Sequence, residues 1–356
     1  MEPAPSQVHH GGVWRVAVKD LLFRRRRFIT SVLATSIAFG LALLLAGAEE
    51  HLRRESERIV ELFAADQFVV AAGSAGPFST TRLLPASTAD ALRADPAVVS
   101  ADPFVQVREV VDAKDVNVLG LTPDGAGWPE PVDGRLPAAS AEVIVDELLG
   151  ADVGDTIAHG GRDATVVGIS RDTSYYFALP TVFAPIADVQ QAFLAGQSFA
   201  TAIAVRGAPA TAPADTAAYD ERAVIGDLRR PLKSGTETIR IISVLLWIMA
   251  AGVVASMLYL AVTERSTDFA TSKAMGVTNR TLFAGLAVQG LVLALAATAI
   301  GAVIALLIAP VFPFPVEIPV SAYITIAVVG VAVGLLASLI GLRRTMRVDP
   351  ALAFGA

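Results

Sequence analysis

A site that does chemistry needs a nucleophile beside a base, a set of metal ligands, or a backbone cradle for phosphate. This chain has little material for any of them. Of its four histidines, His9 and His10 sit together in a polar tail with no third ligand nearby, the pattern of solvated side chains. His51 falls in the charged run EEHLRRESERIVELF, where a solvated role is expected, and His159 is the fourth. The stretch GSAG at 73–76 approaches a nucleophile elbow but breaks the G-x-S-x-G spacing, so it reads as a loop. No Gly-Lys pair occurs anywhere, which removes the phosphate-binding loop and with it any ATPase of the chain's own. No catalytic residue, metal site or cofactor site is expected, and the chain is read as something other than an enzyme.

The apolar residues say more. At 54% hydrophobic residues and a mean hydropathy of +0.57, the chain is richer in apolar side chains than ordinary soluble domains. They are also concentrated. No charge lies between Arg27 and Glu49, Arg240 and Glu264, Arg280 and Glu317, or Glu317 and Arg343. Each window exceeds the ~20 residues that cross a hydrocarbon core about 30 Å thick. The fold class expected is therefore an α-helical membrane protein with four transmembrane helices in a 1+3 arrangement: 28–48, 241–262, 281–310 and 320–342. The first window follows basic residues as a signal peptide would, but it is too long for an h-region and RRRR lies well inside the chain.

Inside these windows the polar residues are Ser, Thr, Tyr, Trp and Gln289, with no ionisable side chain. Ion-coupled carriers place ionisable groups at that depth, so such a mechanism is disfavoured. Gln289 reads more economically as a hydrogen bond between helices than as a substrate contact. Arg15, Lys19, Arg24 to Arg27, Arg265, Lys273, Arg280, Arg343, Arg344 and Arg347 all flank the same membrane side, which the positive-inside rule makes cytoplasmic. Both termini then face the cytoplasm, as do a tail and amphipathic segment at 1–27, a linker at 263–280 and a tail at 343–356. The basic amphipathic segment would meet anionic membrane lipid. On the opposite side lie residues 49–240, with 28 acidic and 16 basic residues, and an outer turn at 311–319 rich in Pro and Phe.

With no cysteine in the chain, residues 49–240 must be held by packing alone. QFVVAAG, VVSADPFVQVREVV and VNVLGL are strand-like, STADALRADP has a helix start and stop, and short β runs punctuated by Gly and Asp follow. This predicts a large mixed α/β extracytoplasmic domain with a small β-rich insert at about 131–186. The helix pattern of the first window continues past Gly47 through Leu52, Ile59 and Leu62. A helix from 28 to 63 would run about 54 Å, roughly 24 Å beyond the hydrocarbon core. A second approach, AVIGDLRRPLKSGTETIRII, has similar spacing with Pro231 and Gly235 expected to bend or interrupt it. The two are read as stalks, with charged collars on ordinary helices as the alternative.

The linker TERSTDFATSKAMGVTNR, residues 263–280, can form a short helix capped at Ser266 or Thr267 and stopped at Gly276. Phe269, Ala270, Ala274 and Met275 offer an apolar face that would fit a groove on another protein; a plain connecting turn is the competing reading.

The same residues resemble the coupling segment of FtsX-like permeases of the MacB type. Glu264, Arg265, Phe269, Ala270, Lys273, Ala274, Met275 and Gly276 match that pattern, while Asp268 replaces the commoner Glu. MRVDPALAF resembles the family's closing segment at Asp349 and Pro350, and DGRLPAASAEVIVDELLGADVGDTIAHGGRDATVVGI is similar to its MacB-like extracytoplasmic domain. The resemblance implies a multi-pass permease of the bacterial inner or plasma membrane. It also implies an ABC ATPase subunit as partner, with ATP and Mg bound there rather than in this chain, and a second permease chain, expected to be identical. Residues 264–276 would contact the ATPase, Asp349 and Pro350 would add a cytoplasmic contact, and ATP hydrolysis would move the outer domain. An FtsX-like regulator of a cell-wall enzyme or sensor is the alternative within the same resemblance. No nucleic-acid partner is expected.

Overall fold

The computed structural model describes residues 25–209, 213–264, 278–312 and 315–346. The chain divides into two units, Met1–Glu50 with Glu237–Ala356, and His51–Thr236, here termed the head domain.

The described residues of the first unit are mainly helical. They hold the start of α1 (Arg25–Glu61), most of α2 (Lys233–Glu264), α3 (Asn279–Ile308) and α4 (Val320–Met346). Among the described residues three stretches are long and apolar enough to cross a membrane: Ile29–Glu61 in α1, Lys233–Ser256 in α2 and Ala287–Val311 at α3. Helix α4 carries a shorter apolar stretch, Val320–Val333. Ala38, Phe39, Ala42, Leu43, Leu44, Ala250, Ala297 and Ala305 form a shared core. Alanine dominates it because the backbones approach closely. A Cβ added to Gly40 would lie 3.0 Å from the Gly301 carbonyl oxygen, and one added to Gly301 would lie 2.9 Å from that of Ser36. Small residues at a crossing point permit this contact, as in packed helices within lipid.

The head domain is built on one mixed sheet. Its strands are β1 (Gln67–Ala71), β3 (Val98–Val111), β4 (Lys114–Leu121), β5 (Asp133–Gly134), β6 (Glu142–Asp146), β7 (Thr156–His159), β8 (Arg162–Ser170), β9 (Thr181–Pro185), β11 (Ala202–Gly207) and β12 (Thr216–Asp220). They run in the order β12-β1-β11-β3-β4-β9-β6-β8-β5, with β7 beside β8, while β2 (Leu84–Pro85) and β10 (Phe199–Ala200) pair separately. Pairs β4–β9 and β6–β8 are parallel and the others antiparallel. The β-rich stretch 133–185 thus extends the sheet through β4–β9 instead of forming a separate one.

Two short helices, Thr88–Arg93 and Ile186–Phe193, cover parts of the sheet. The latter places Ile186 and Val189 over Val105, Val116, Val118, Val143, Val145 and Val182. Leu92 and Ala89 of the former join Val69, Ala101, Ile203 and Val205. Each large aliphatic side chain so buried contributes about 1.5–3 kcal/mol. A third helix, Glu221–Arg229, is capped by the Asp220 carboxylate, which accepts from the Ala223 N–H at 2.8 Å.

Candidate functional site

The sequence singled out the linker between α2 and α3. Helix α2 ends at Glu264 and α3 begins at Asn279. Arg265, Asp268, Phe269, Ala270, Lys273, Ala274, Met275 and Gly276 lie outside the described residues, as do Asp349 and Pro350.

Inside the head domain a different constellation forms where the far end of α1 meets the sheet. The helix stays unbroken from Arg25 to Glu61. Leu52, Glu55, Ser56, Ile59 and Val60 face inward at helical spacing, and all are buried. Phe63, two residues beyond α1, anchors its end in an aromatic cluster, with ring centres 4.6 Å from Phe104, 5.6 Å from Phe68 and 6.2 Å from Phe78. His51 is 2% exposed, not solvated as its charged neighbours suggested. Its Nε2 lies 3.9 Å from Glu55 Oε1, one helical turn away.

Glu55 binds a loop more than a hundred residues later in the chain. Its Oε1 accepts the Ala178 N–H at 2.5 Å, and the carboxyl also receives the Phe177 N–H. Oε2 is buried and has no hydrogen-bond partner among the described residues. Burial pushes the Glu55 carboxyl up to about 7, against the two backbone donors and the Arg58 charge, which favour the anion.

The loop itself is strained. Tyr176, Phe177 and Ala178 have φ of +61°, +63° and +57°, three consecutive left-handed residues with no glycine among them. Each such residue costs about 1–2 kcal/mol, so the surroundings must hold the loop in place. The Tyr175 N–H closes the turn on Leu179 O at 3.2 Å, and Asn117 Nδ2 donates to Tyr175 O at 3.0 Å. The Arg108 guanidinium lies 4.3 Å from the centre of the Tyr176 ring, whose hydroxyl donates to Phe78 O at 3.3 Å. Phe177 is half exposed and its ring reaches Gly235, where an added Cβ would sit 3.2 Å from the ring tip. Gly235 therefore lies within α2 and seats this ring; the interruption expected there is confined to Arg230–Leu232, around Pro231.

The root of the loop is pinned by Asp146 at the end of β6, whose Oδ2 accepts the Thr173 N–H at 3.0 Å and hydroxyl at 2.7 Å. Burial raises this carboxyl too, while the Thr173 and Leu148 donors oppose the rise. Arg58 of α1 pairs with Asp172 at 3.0 Å. Arg229 of the Glu221–Arg229 helix bridges Glu57 Oε1 and Arg53 O, both at 2.8 Å. In the same helix Asp227 is fully buried and accepts the Ser79 hydroxyl.

This arrangement ties helices to a loop through buried carboxylates. Among the described residues no group of three or more His, Asp and Glu could hold a metal ion. His159, buried, has its Nδ1 2.5 Å from Glu109 Oε1, and the Gly160 N–H donates to the other oxygen at 2.9 Å, fixing the β7–β8 hairpin on β3. GSAG at 73–76 lies in the irregular stretch after β1, as its loop reading expected.

Known proteins resemble the whole chain. Residues 28–222 match the MacB-like periplasmic core domain and residues 240–350 the FtsX-like permease C-terminal family. An uncharacterized ABC transporter permease of Mycobacterium bovis is 38% identical over 344 residues, covering 95% of this chain and 98% of that protein. A putative hemin transport system permease protein of Staphylococcus epidermidis is 22% identical over 363 residues, covering 96% of this chain and 99% of that one. Among solved structures, the periplasmic region of MacB from Actinobacillus actinomycetemcomitans aligns with a TM-score of 0.36 and 16% identity, covering 48% of this chain and 96% of that one.

Proposed function

Because this chain belongs to the MacB-type, FtsX-like family of ABC transporter permeases, we propose that it converts ATP turnover in a separate ATPase subunit into movement of its head domain. Permease subunits of this family are not catalytic themselves, which agrees with the missing phosphate-binding loop. In this reading four helices span the membrane, at 28–48, 241–262, 281–310 and 320–342, with both termini in the cytoplasm. The linker 263–280 seats on the ATPase through Phe269 and Met275, flanked by Glu264, Arg265, Asp268, Ala270, Lys273, Ala274 and Gly276, and Asp349 with Pro350 adds a second cytoplasmic contact. Two copies of the chain work with two ATPase subunits that bind ATP and Mg, and the assembly exports or extracts a substrate from the membrane or the outer compartment.

One observation supports this most. Helix α1 is a single element, free of charge from Phe28 to Ala48, and its last turns belong to the core of the head domain; in this reading it carries a displacement from one end to the other. A helix of 37 residues is about 55 Å long. Uncharged spans suit levers, since they need conduct nothing.

The test is affinity purification of the full chain in mild detergent. An ATP-binding subunit recovered in equal ratio is the expected result; a chain that isolates alone and does its work without nucleotide defeats the proposal.

A further inference from the structure

We propose that Glu55 is a proton-operated catch: with its proton bound it holds the left-handed loop 175–179 onto helix α1, and on losing the proton it releases the loop. The inference goes beyond the permease reading and does not depend on it.

The geometry carries the argument. The carboxyl accepts two backbone donors from the loop, the Ala178 N–H on Oε1 and the Phe177 N–H; a neutral carboxyl still accepts through its carbonyl oxygen, while the anion gains from both donors but loses more to burial. The other oxygen is buried and meets no donor among the described residues. Ionisation therefore places part of a full charge on a buried atom with no donor among the described residues, which is costly in such a setting. That cost is relieved if water reaches the oxygen, and water reaches it if the loop leaves.

The loop is ready to leave. Three left-handed residues in sequence are held by contacts from outside the loop, and the two Glu55 bonds lie at the second and third of them. Release lets Tyr176, Phe177 and Ala178 return to ordinary backbone angles. Strain and ionisation act in the same direction.

The charged groups that face Glu55 set where the catch trips. On α1 these are His51 at 3.9 Å and Arg58; at the end of β6 there is Asp146. Arg58 is partly engaged by Asp172, so it only partly offsets burial. With the closed-state carboxyl at about 7 and an open-state value near 4.5, ionisation shifts the balance toward the open loop by roughly 300-fold.

The experiment is amide hydrogen exchange on the full chain in detergent micelles from pH 5.5 to 8.5, with rates normalised to intrinsic exchange. The expected result is strong protection of the Phe177 and Ala178 amides at pH 5.5, falling by up to roughly 30-fold as pH rises to about 7 and levelling off above it. Glu55→Gln keeps the acceptor and removes the proton, so its protection should be high and flat. A flat wild-type profile overturns the proposal, and so does a Glu55→Gln chain that keeps the wild-type slope. Should that variant not accumulate, His51→Gln and Asp146→Asn replace it. The slope must survive in both, and its loss in either assigns the proton elsewhere and overturns the catch. No nucleotide is present in the measurement, so its failure leaves the permease assignment untouched.

Discussion

Replacing Phe63 by alanine tests whether α1 is anchored in the head domain. The ring is 1% exposed and packs against Phe68, Phe78 and Phe104, so its removal leaves a cavity among these rings. Truncations of this kind cost about 3–5 kcal/mol. A domain of this size loses about 2–4 °C of Tm per kcal/mol, so the head-domain transition should fall by roughly 6–20 °C. The assay is thermal unfolding of the full chain in micelles, followed by near-ultraviolet circular dichroism, which reports the packing of these rings. Phe63→Leu retains most of the volume and should cost about 1 kcal/mol. A cycle with Phe104→Leu should return a coupling of about 0.5–1.5 kcal/mol for the aromatic pair. A Phe63→Ala transition within 3 °C of wild type would refute the anchoring argument.

Glu55 makes stability depend on pH. Its folded-state value of about 7 lies above the ordinary 4.5, so its share of stability is fully present below about 4.5 and is lost as pH rises through about 7, a change of roughly 3 kcal/mol. Denaturation at pH 5 and pH 8 should show this loss in wild type and not in Glu55→Gln. Gly40→Leu forces a side chain against the Gly301 carbonyl and should destabilise the helical unit by about 1–3 kcal/mol. Gly252→Leu, at a position with nothing within 4 Å, should leave folded yield and Tm unchanged. Phe269→Asp or Met275→Asp buries a charge at the proposed ATPase contact; ATP turnover should then no longer move the head domain, and unchanged coupling in either variant counts against the assignment.

The parts legible in the sequence are those set by local pattern. Charge-free windows and 3.6-residue spacing marked α1 past Gly47, because Leu52, Ile59 and Leu62 recur on one face whatever packs there. Val-rich alternation marked β3 and β4 for the same reason. What escaped depends on partners distant in the chain. His51 looked solvated because its neighbours are charged, yet the face it shares with Glu55 packs inside the head domain, where residues 177 and 178 bind Glu55. Nothing in SYYFALP announces three left-handed residues, since Tyr, Phe and Ala have no intrinsic taste for that region. The continuity of the β-rich stretch with the main sheet rests on a parallel pairing of β4 with β9 across some sixty residues. Gly235 was read as a helix breaker because propensity cannot see the Phe177 ring that rests on it. The proposed coupling linker lies outside the described residues and rests on residue types and a family pattern alone.

Strand β1 has consequences for biosynthesis. It is the first strand of the head domain to be made, yet it lies between the last two, β11 and β12. Both of its edges wait for roughly 150 residues of further synthesis, which takes about 7–30 s at ordinary ribosomal rates. Throughout that interval Phe68, Val69 and Val70, all buried in the finished fold, are open to misplaced pairing. A ribosome stalled before codon 216 should therefore leave a nascent chain that needs a holding chaperone, and one stalled well beyond codon 220 should not.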